Sequence, residues 1–213
     1  MTPQFAKAVD PIFLHVFGLL EKIANNESPS AEDERLRIRG WLDQAEGILG
    51  HSQDWQLAKY AIVSWIDEVL IETDWPGRDW WNENVLEVEL FNTRLANEQF
   101  YTRSKEASAL PKRDALEVFY VCVVLGFRGL YRDPVVAAAL AEPRGLPKNL
   151  EAWAKQTSLA IRLAQGRPPL AEGGVPGPGA PPLDGQSLLV WSGLAGAVLA
   201  AFTVICAYIM FIV

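Results

Sequence analysis

Eight carboxylates crowd into residues 67–89, namely Asp67, Glu68, Glu72, Asp74, Asp79, Glu83, Glu87 and Glu89, against one base, Arg78. Paired acids are the raw material of general acid–base catalysis and of oxygen-ligand metal sites. Adjacent helix positions point about 100° apart, so Asp67 and Glu68 are badly placed to share a proton or a metal ion. Glu68 and Glu72 do share a face, where like charges four apart repel mildly and commonly sit on a solvated surface. The window therefore reads as a wet helix face or as an acidic recognition surface. An enzymatic reading lacks support, because His15 and His51 are the only histidines and no nucleophile, metal or phosphate-loop motif accompanies them. No cofactor or metal is expected. Both histidines read as structural or solvent-facing. Trp75, Trp80 and Trp81 could form an exposed partner hot spot, but core packing between helices is the favoured reading.

The elements that must position these residues read as one helix after another, without alternating strands bounded by hairpin turns. Phe13, Val16, Phe17, Leu20 and Ile23 recur at spacings of three and four, which predicts a first helix over about 2–25, with Pro11 as a candidate kink or delayed start. Ser30 is placed to cap a second helix that ends near Leu49 before Gly50, its first turn carrying Glu32, Asp33 and Glu34. Ser52 caps a third, to about Thr73, with Trp55, Ala58, Ile62, Trp65, Ile66 and Val69 inward. Short helices and turns fill 78–93. Further helices are expected over about 94–109 and 113–127, the latter central and directing Leu116, Phe119, Tyr120, Val123, Val124 and Phe127 inward. A short helix near 135–140 and an amphipathic one over 149–165 complete an all-α cytosolic domain at 1–165.

Two segments follow. Over 166–185, 12 of 20 residues are glycine or proline, so 166–186 is expected to be a linker of about 25 Å root-mean-square reach. From Leu188 to Val213 there are 26 residues without a charge. As a helix at about 1.5 Å per residue these exceed the ~30 Å hydrocarbon core of a bilayer. Residues 187–213 are therefore expected to be a C-terminal transmembrane anchor. Ser192, Gly196 and Ala200, with Gly193, Ala197 and Ala201 one step round, are small residues at the spacing that lets membrane helices approach, which suits self-association or docking on another span. Trp191 and Tyr208 suit the two interfaces.

The formal net charge of -7 argues against a nucleic-acid binder. The two cysteines, Cys122 and Cys206, supply neither a disulfide framework nor a thiolate metal site. The apolar run 12–20 is preceded by Asp10 and Pro11 and interrupted by His15, unlike a signal peptide, so the N-terminal body is expected to stay cytosolic. Charge is also divided along the chain. Residues 128–167 hold seven bases and three acids, opposite in sign to the acidic window.

The run from Ala58 to Leu70 (AKYAIVSWIDEVL), then Trp75, Leu90-Phe91-Asn92-Thr93, Leu116-Glu117-Val118-Phe119-Tyr120 and Leu125-Gly126-Phe127-Arg128-Gly129, together resemble the DotU/IcmH family, the TssL components of type VI secretion. The likeness covers about 11–163. It implies a bacterial inner-membrane, single-pass protein with a cytosolic hook of two packed helical bundles, assembled with TssM (IcmF-like) and the lipoprotein TssJ. It further implies recruitment of baseplate subunits such as TssK, with an acidic cleft among the contact surfaces that would include Asp67 and Glu68, and Glu72 and Asp74 as weaker additions. Some relatives add a peptidoglycan-binding domain beyond the span; here that role is expected of another subunit. Two other classes compete: a tail-anchored helical regulator that takes a partner helix into an apolar groove, and the related type IVb secretion component.

Overall fold

The computed structural model describes residues 1–164 and 185–212, with side chains in the second stretch described over 191–205 and at 207. The remainder of the expected linker and the side chain of Tyr208 lie outside the described residues. All regular structure among them is helical: α1 (Pro3–Ala24), α2 (Ala31–Leu49), α3 (Gln53–Glu72), α4 (Arg78–Glu83), α5 (Leu86–Phe91), α6 (Ala96–Ala109), α7 (Asp114–Val124), α8 (Pro134–Leu140), α9 (Leu150–Ala164) and α10 (Gly185–Ile212), with 3-10 turns at Gly129–Arg132 and Glu142–Arg144.

The helix starts follow side-chain chemistry. Ser30 Oγ accepts from the Asp33 amide at 3.3 Å and Ser52 Oγ from the Trp55 amide at 3.2 Å, each satisfying a donor that the first helical turn leaves open. Gly50 stops α2 at φ 65°, a left-handed angle that glycine reaches without a steric penalty. Helix α1 runs unbroken through Pro11, with Phe5, Val9, Ile12, Phe13, Val16 and Leu19 buried on both sides of it. That packing outweighs the ~3 kcal/mol a proline costs inside a helix. Its inward stripe differs from the sequence expectation: Phe17 is 40% exposed and Leu20 only half-buried. Phe13, Val16 and Ile23 are buried as expected, and Val9, Ile12 and Leu19 complete the buried stripe in place of Phe17 and Leu20.

Helix α3 is the central element. Thirteen of its 20 residues are buried, so it is covered on nearly every side and is not a one-faced surface helix. It packs along α7 and against α4, α5 and α6, while α1 pairs with α2 and α9 lies on α7. Phe13 meets Trp65 across α1 and α3 at 5.1 Å between ring centroids, and Phe100 stacks on Phe127 at 3.9 Å. Nearly all the buried apolar side chains of α1 to α9 form one connected cluster. Helix α7 stops at Val124, earlier than expected, because the chain turns through Gly126 at φ 116°. Phe127 thus enters the core from the turn, Val124 is 65% exposed and Tyr120 is half-buried.

Residues 1–167 and 168–213 are separate compact units. The backbone over the apolar C-terminal run is a single 28-residue helix, α10. Among the described residues, no helix is long and apolar enough to cross a membrane. The described large side chains of α10, from Trp191 to Ile205, are exposed, and nothing lies within 4 Å of a Cβ added at Gly193 or Gly196.

Candidate functional site

A cleft of ≈ 230 Å³ opens beside α3, lined by Ser64, Asp67, Glu68 and Glu72 of that helix and by Glu87, Arg94 and Arg132 from later in the chain. Its acids arise from three unfinished helix starts. Helix α5 is preceded by Val85, which has no side chain able to cap it. The Asp67 carboxylate of α3 takes over, accepting from the Leu86 amide at 3.0 Å, the Glu87 amide at 2.9 Å and the Trp81 indole at 3.0 Å. Helix α6 is preceded by Leu95, likewise without a capping oxygen. There Glu87 accepts from the Leu95 and Ala96 amides at 3.0 and 3.1 Å, from Thr93 Oγ1 at 2.8 Å and from the Tyr60 hydroxyl at 2.9 Å. Glu68 accepts from the Arg128 amide at 2.6 Å and the Gly129 amide at 3.0 Å, holding the turn that follows α7. Gly129 is needed at that point: its φ is 47° and a Cβ would sit 2.7 Å from the Phe127 ring.

Asp67 and Glu68 therefore diverge, as adjacent positions on a helix must. Each serves a different turn, and both are buried, at 5% and 9% exposure. This corrects the reading of them as an acidic surface: their lone pairs are committed to the protein's own N–H groups. Of the four acids expected to form that surface, Glu72, which pairs with Arg132, and Asp74 face solvent, as do Asp79, Glu83 and Glu89 of the same window. Arg132 also reaches Glu68 at 3.1 Å, so one half-exposed guanidinium bridges a buried and an exposed carboxylate. Trp75 and Trp81 are core residues, their rings 6.4 Å apart, and the Trp75 indole donates to the Leu70 carbonyl. Trp80 is half-buried against the same core. The expected aromatic contact surface is thus mostly interior. His15 and His51 bond to Glu34 and Glu46, both at 2.8 Å. Among the described residues, no cluster of three or more His, Cys, Asp or Glu is placed to hold a metal ion.

Burial pushes the Asp67 carboxyl up to about 6, against the pull of its three donors. Burial likewise raises Glu68, against the Arg128 amide and the Arg132 charge. A folded-state value above the unfolded one means that the native state binds the proton more tightly, so these groups favour folding at low pH and lose that contribution as pH rises. For Asp67 the window runs from about 4 to about 6. Asp67→Asn cannot titrate. The stability advantage of wild type over this variant is expected to shrink by up to ~3 kcal/mol between pH 4 and pH 7 in urea unfolding. A constant difference would contradict the assignment.

Glu87 and Arg132 escaped notice in the sequence, where Glu87 was one acid of eight. The available signal was indirect: Val85 and Leu95 stand where helix starts want Ser, Thr, Asp or Asn, so distant acids had to cap them.

The family model described as "Type VI secretion system protein DotU" matches residues 4–211. Among solved structures, the cytoplasmic domain of TssL from Acinetobacter baumannii is similar at 24% identity and a TM-score of 0.58, over 75% of this chain and 98% of that one. SciP/TssL from enteroaggregative Escherichia coli 042 is similar at 22% identity and a TM-score of 0.48, over 68% of this chain and 89% of that one. No curated protein matches the chain.

Proposed function

Because the chain belongs to the DotU family of type VI secretion system proteins, we propose that it is a non-catalytic inner-membrane scaffold that docks a cytosolic baseplate onto an envelope-spanning complex. The observation that carries this reading is the cleft. Three buried carboxylates, Asp67, Glu68 and Glu87, are locked to backbone donors and give it a fixed wall. At its mouth Glu72 and Arg132 are about half exposed, and Asp74 is exposed nearby on the chain. A preorganised wall with a charged rim suits recognition of a partner's basic surface, since rim charges steer and select more than they bind. Acids already saturated with donors suit proton transfer poorly.

The baseplate partner would be a subunit such as TssK, and TssM with TssJ would complete the membrane complex. The 26 uncharged residues 188–213 would hold the body at the inner membrane, cytoplasm-facing, with Ser192, Gly193, Gly196, Ala197, Ala200 and Ala201 as the face for self-association or for a neighbouring span. The competing regulator that grips a partner helix requires an open apolar groove, whereas this cleft is lined by Asp67, Glu68, Glu72, Glu87, Arg94 and Arg132. The family description favours the type VI branch over type IVb.

Crosslinking of the full-length chain in membranes, followed by affinity capture, is expected to recover a TssM-type and a TssK-type subunit. A chain found in the wash after alkaline extraction, or crosslinked to neither, would contradict the reading.

A further inference from the structure

The basic segment of the body is not uniformly available. Arg132 is taken by Glu68 and Glu72, and Arg144 by Glu98. Lys148, Lys155 and Arg162 are exposed, and none forms an ion pair with a described residue. They fall seven residues apart, two helical turns each, so Lys155 and Arg162 share one face of α9 and Lys148 lies just before its start. Leu159 and Leu163 stand on the same side, four and eight residues beyond Lys155, at 56% and 75% exposure. The opposite face is spent on the core through Trp153, Thr157 and Ile161. Glu151 is the sole acid of the helix. Helix α9 is also the last element of the body before the chain runs on to α10.

Single exposed leucines are ordinary. Two of them a turn apart, flanked by unpaired cations on a helix with its other face buried, make an amphipathic surface for an anionic lipid interface: the leucines enter the headgroup boundary, and the basic heads meet phosphate. We infer that the outward face of α9, with Lys148, Lys155, Arg162, Leu159 and Leu163, rests on anionic phospholipid headgroups and orients the body at the bilayer. The inference depends on the proposed membrane anchoring by α10. A second copy of this face would oppose cation to cation, and an acidic protein partner would give the same contacts in vesicles of either composition, which the test below distinguishes.

The test uses the full chain carrying Cys206→Ser and Leu159→Cys, labelled with an environment-sensitive fluorophore; Cys122 is fully buried and stays unlabelled. The protein is reconstituted into vesicles of phosphatidylcholine alone or of equimolar phosphatidylcholine and phosphatidylglycerol. The expected result is a blue-shifted label, quenched by headgroup-level nitroxide lipids, in the anionic vesicles only. Adding Lys155→Gln and Arg162→Gln should lower the ratio of docked to free body about 30-fold, with circular dichroism unchanged. A label that stays in water in both vesicles, while alkaline carbonate fails to extract the chain, overturns the docking and leaves the anchor standing. Extraction of the chain by carbonate overturns the anchor, and the docking with it. A blue shift that headgroup-level nitroxide lipids fail to quench marks a protein–protein contact and also overturns the inference.

Discussion

Asp67→Ala is expected to lower the unfolding free energy by about 4 kcal/mol at pH 7, enough to leave a domain of this size barely folded. The carboxylate is 5% exposed and accepts three hydrogen bonds, from Trp81 Nε1 and the amides of Leu86 and Glu87. Alanine removes both acceptor oxygens at once and leaves the three donors buried, each costing roughly 1–3 kcal/mol when orphaned. The loss spreads beyond one residue, because Asp67 is what starts α5, and α5 carries Glu87. Asp67→Lys is worse, since it adds a buried cation facing donors. Glu72→Lys, on a side chain 45% exposed, is expected to change stability by less than about 1 kcal/mol. Urea titration followed by tryptophan fluorescence separates the cases. Equal stability of wild type and Asp67→Ala would show that the carboxylate is not the cap of α5. It follows that weakened partner binding in a charge reversal at Asp67 reports unfolding as readily as a lost contact, so tests of docking belong at the rim.

The second large effect is at Glu87. Glu87→Ala is expected to cost about 3–4 kcal/mol, because it uncaps α6 at the Leu95 and Ala96 amides and orphans the Tyr60 hydroxyl in the interior. Burial, followed by the Glu87 charge and hydrogen bond, raises the Tyr60 phenol far above its ordinary range, so the hydroxyl keeps its proton and remains a donor. Glu87→Gln retains one acceptor oxygen and is expected to lose about half as much. Amide exchange offers a residue-level reading: in Glu87→Ala the amides of Leu95 and Ala96 should exchange fast, while those in the middle of α3 follow global unfolding. Protection at Leu95 and Ala96 equal to wild type would remove Glu87 from this role.

Much of the fold was legible because its signals are local. Ser30 before an acid-rich first turn, Ser52 before one that carries Asp54, Gly50 after Leu49 and the broken pattern over 78–93 each mark a helix end through chemistry within three or four residues. What failed depended on partners distant in sequence. The edge of the α1 stripe could not be drawn from its own residues: Phe17 is as apolar as Ile12, yet it meets Trp65 only edge-on at 6.0 Å and stays 40% exposed, while Ile12 is fully buried. The site failed in the same way. Asp67 and Glu68 look like surface acids until the starts of α5 and of the Gly129–Arg132 turn are brought against them, at 19 and 61 residues' separation. An acid-rich window thus held two populations: buried caps, which include Asp67 and Glu87, and solvent charges, which include Glu72 and Asp74.

Docking is proposed to depend on the solvent charges acting as a rim over that fixed wall. The most direct measurement is the affinity of the full-length chain, in detergent, for a TssK-type baseplate subunit, compared between wild type and Glu72→Lys with Asp74→Lys. The double variant is predicted to bind at least about tenfold more weakly, mainly through slower association that salt erases, with its urea midpoint unchanged. Undiminished affinity in a variant that folds normally would contradict the claim.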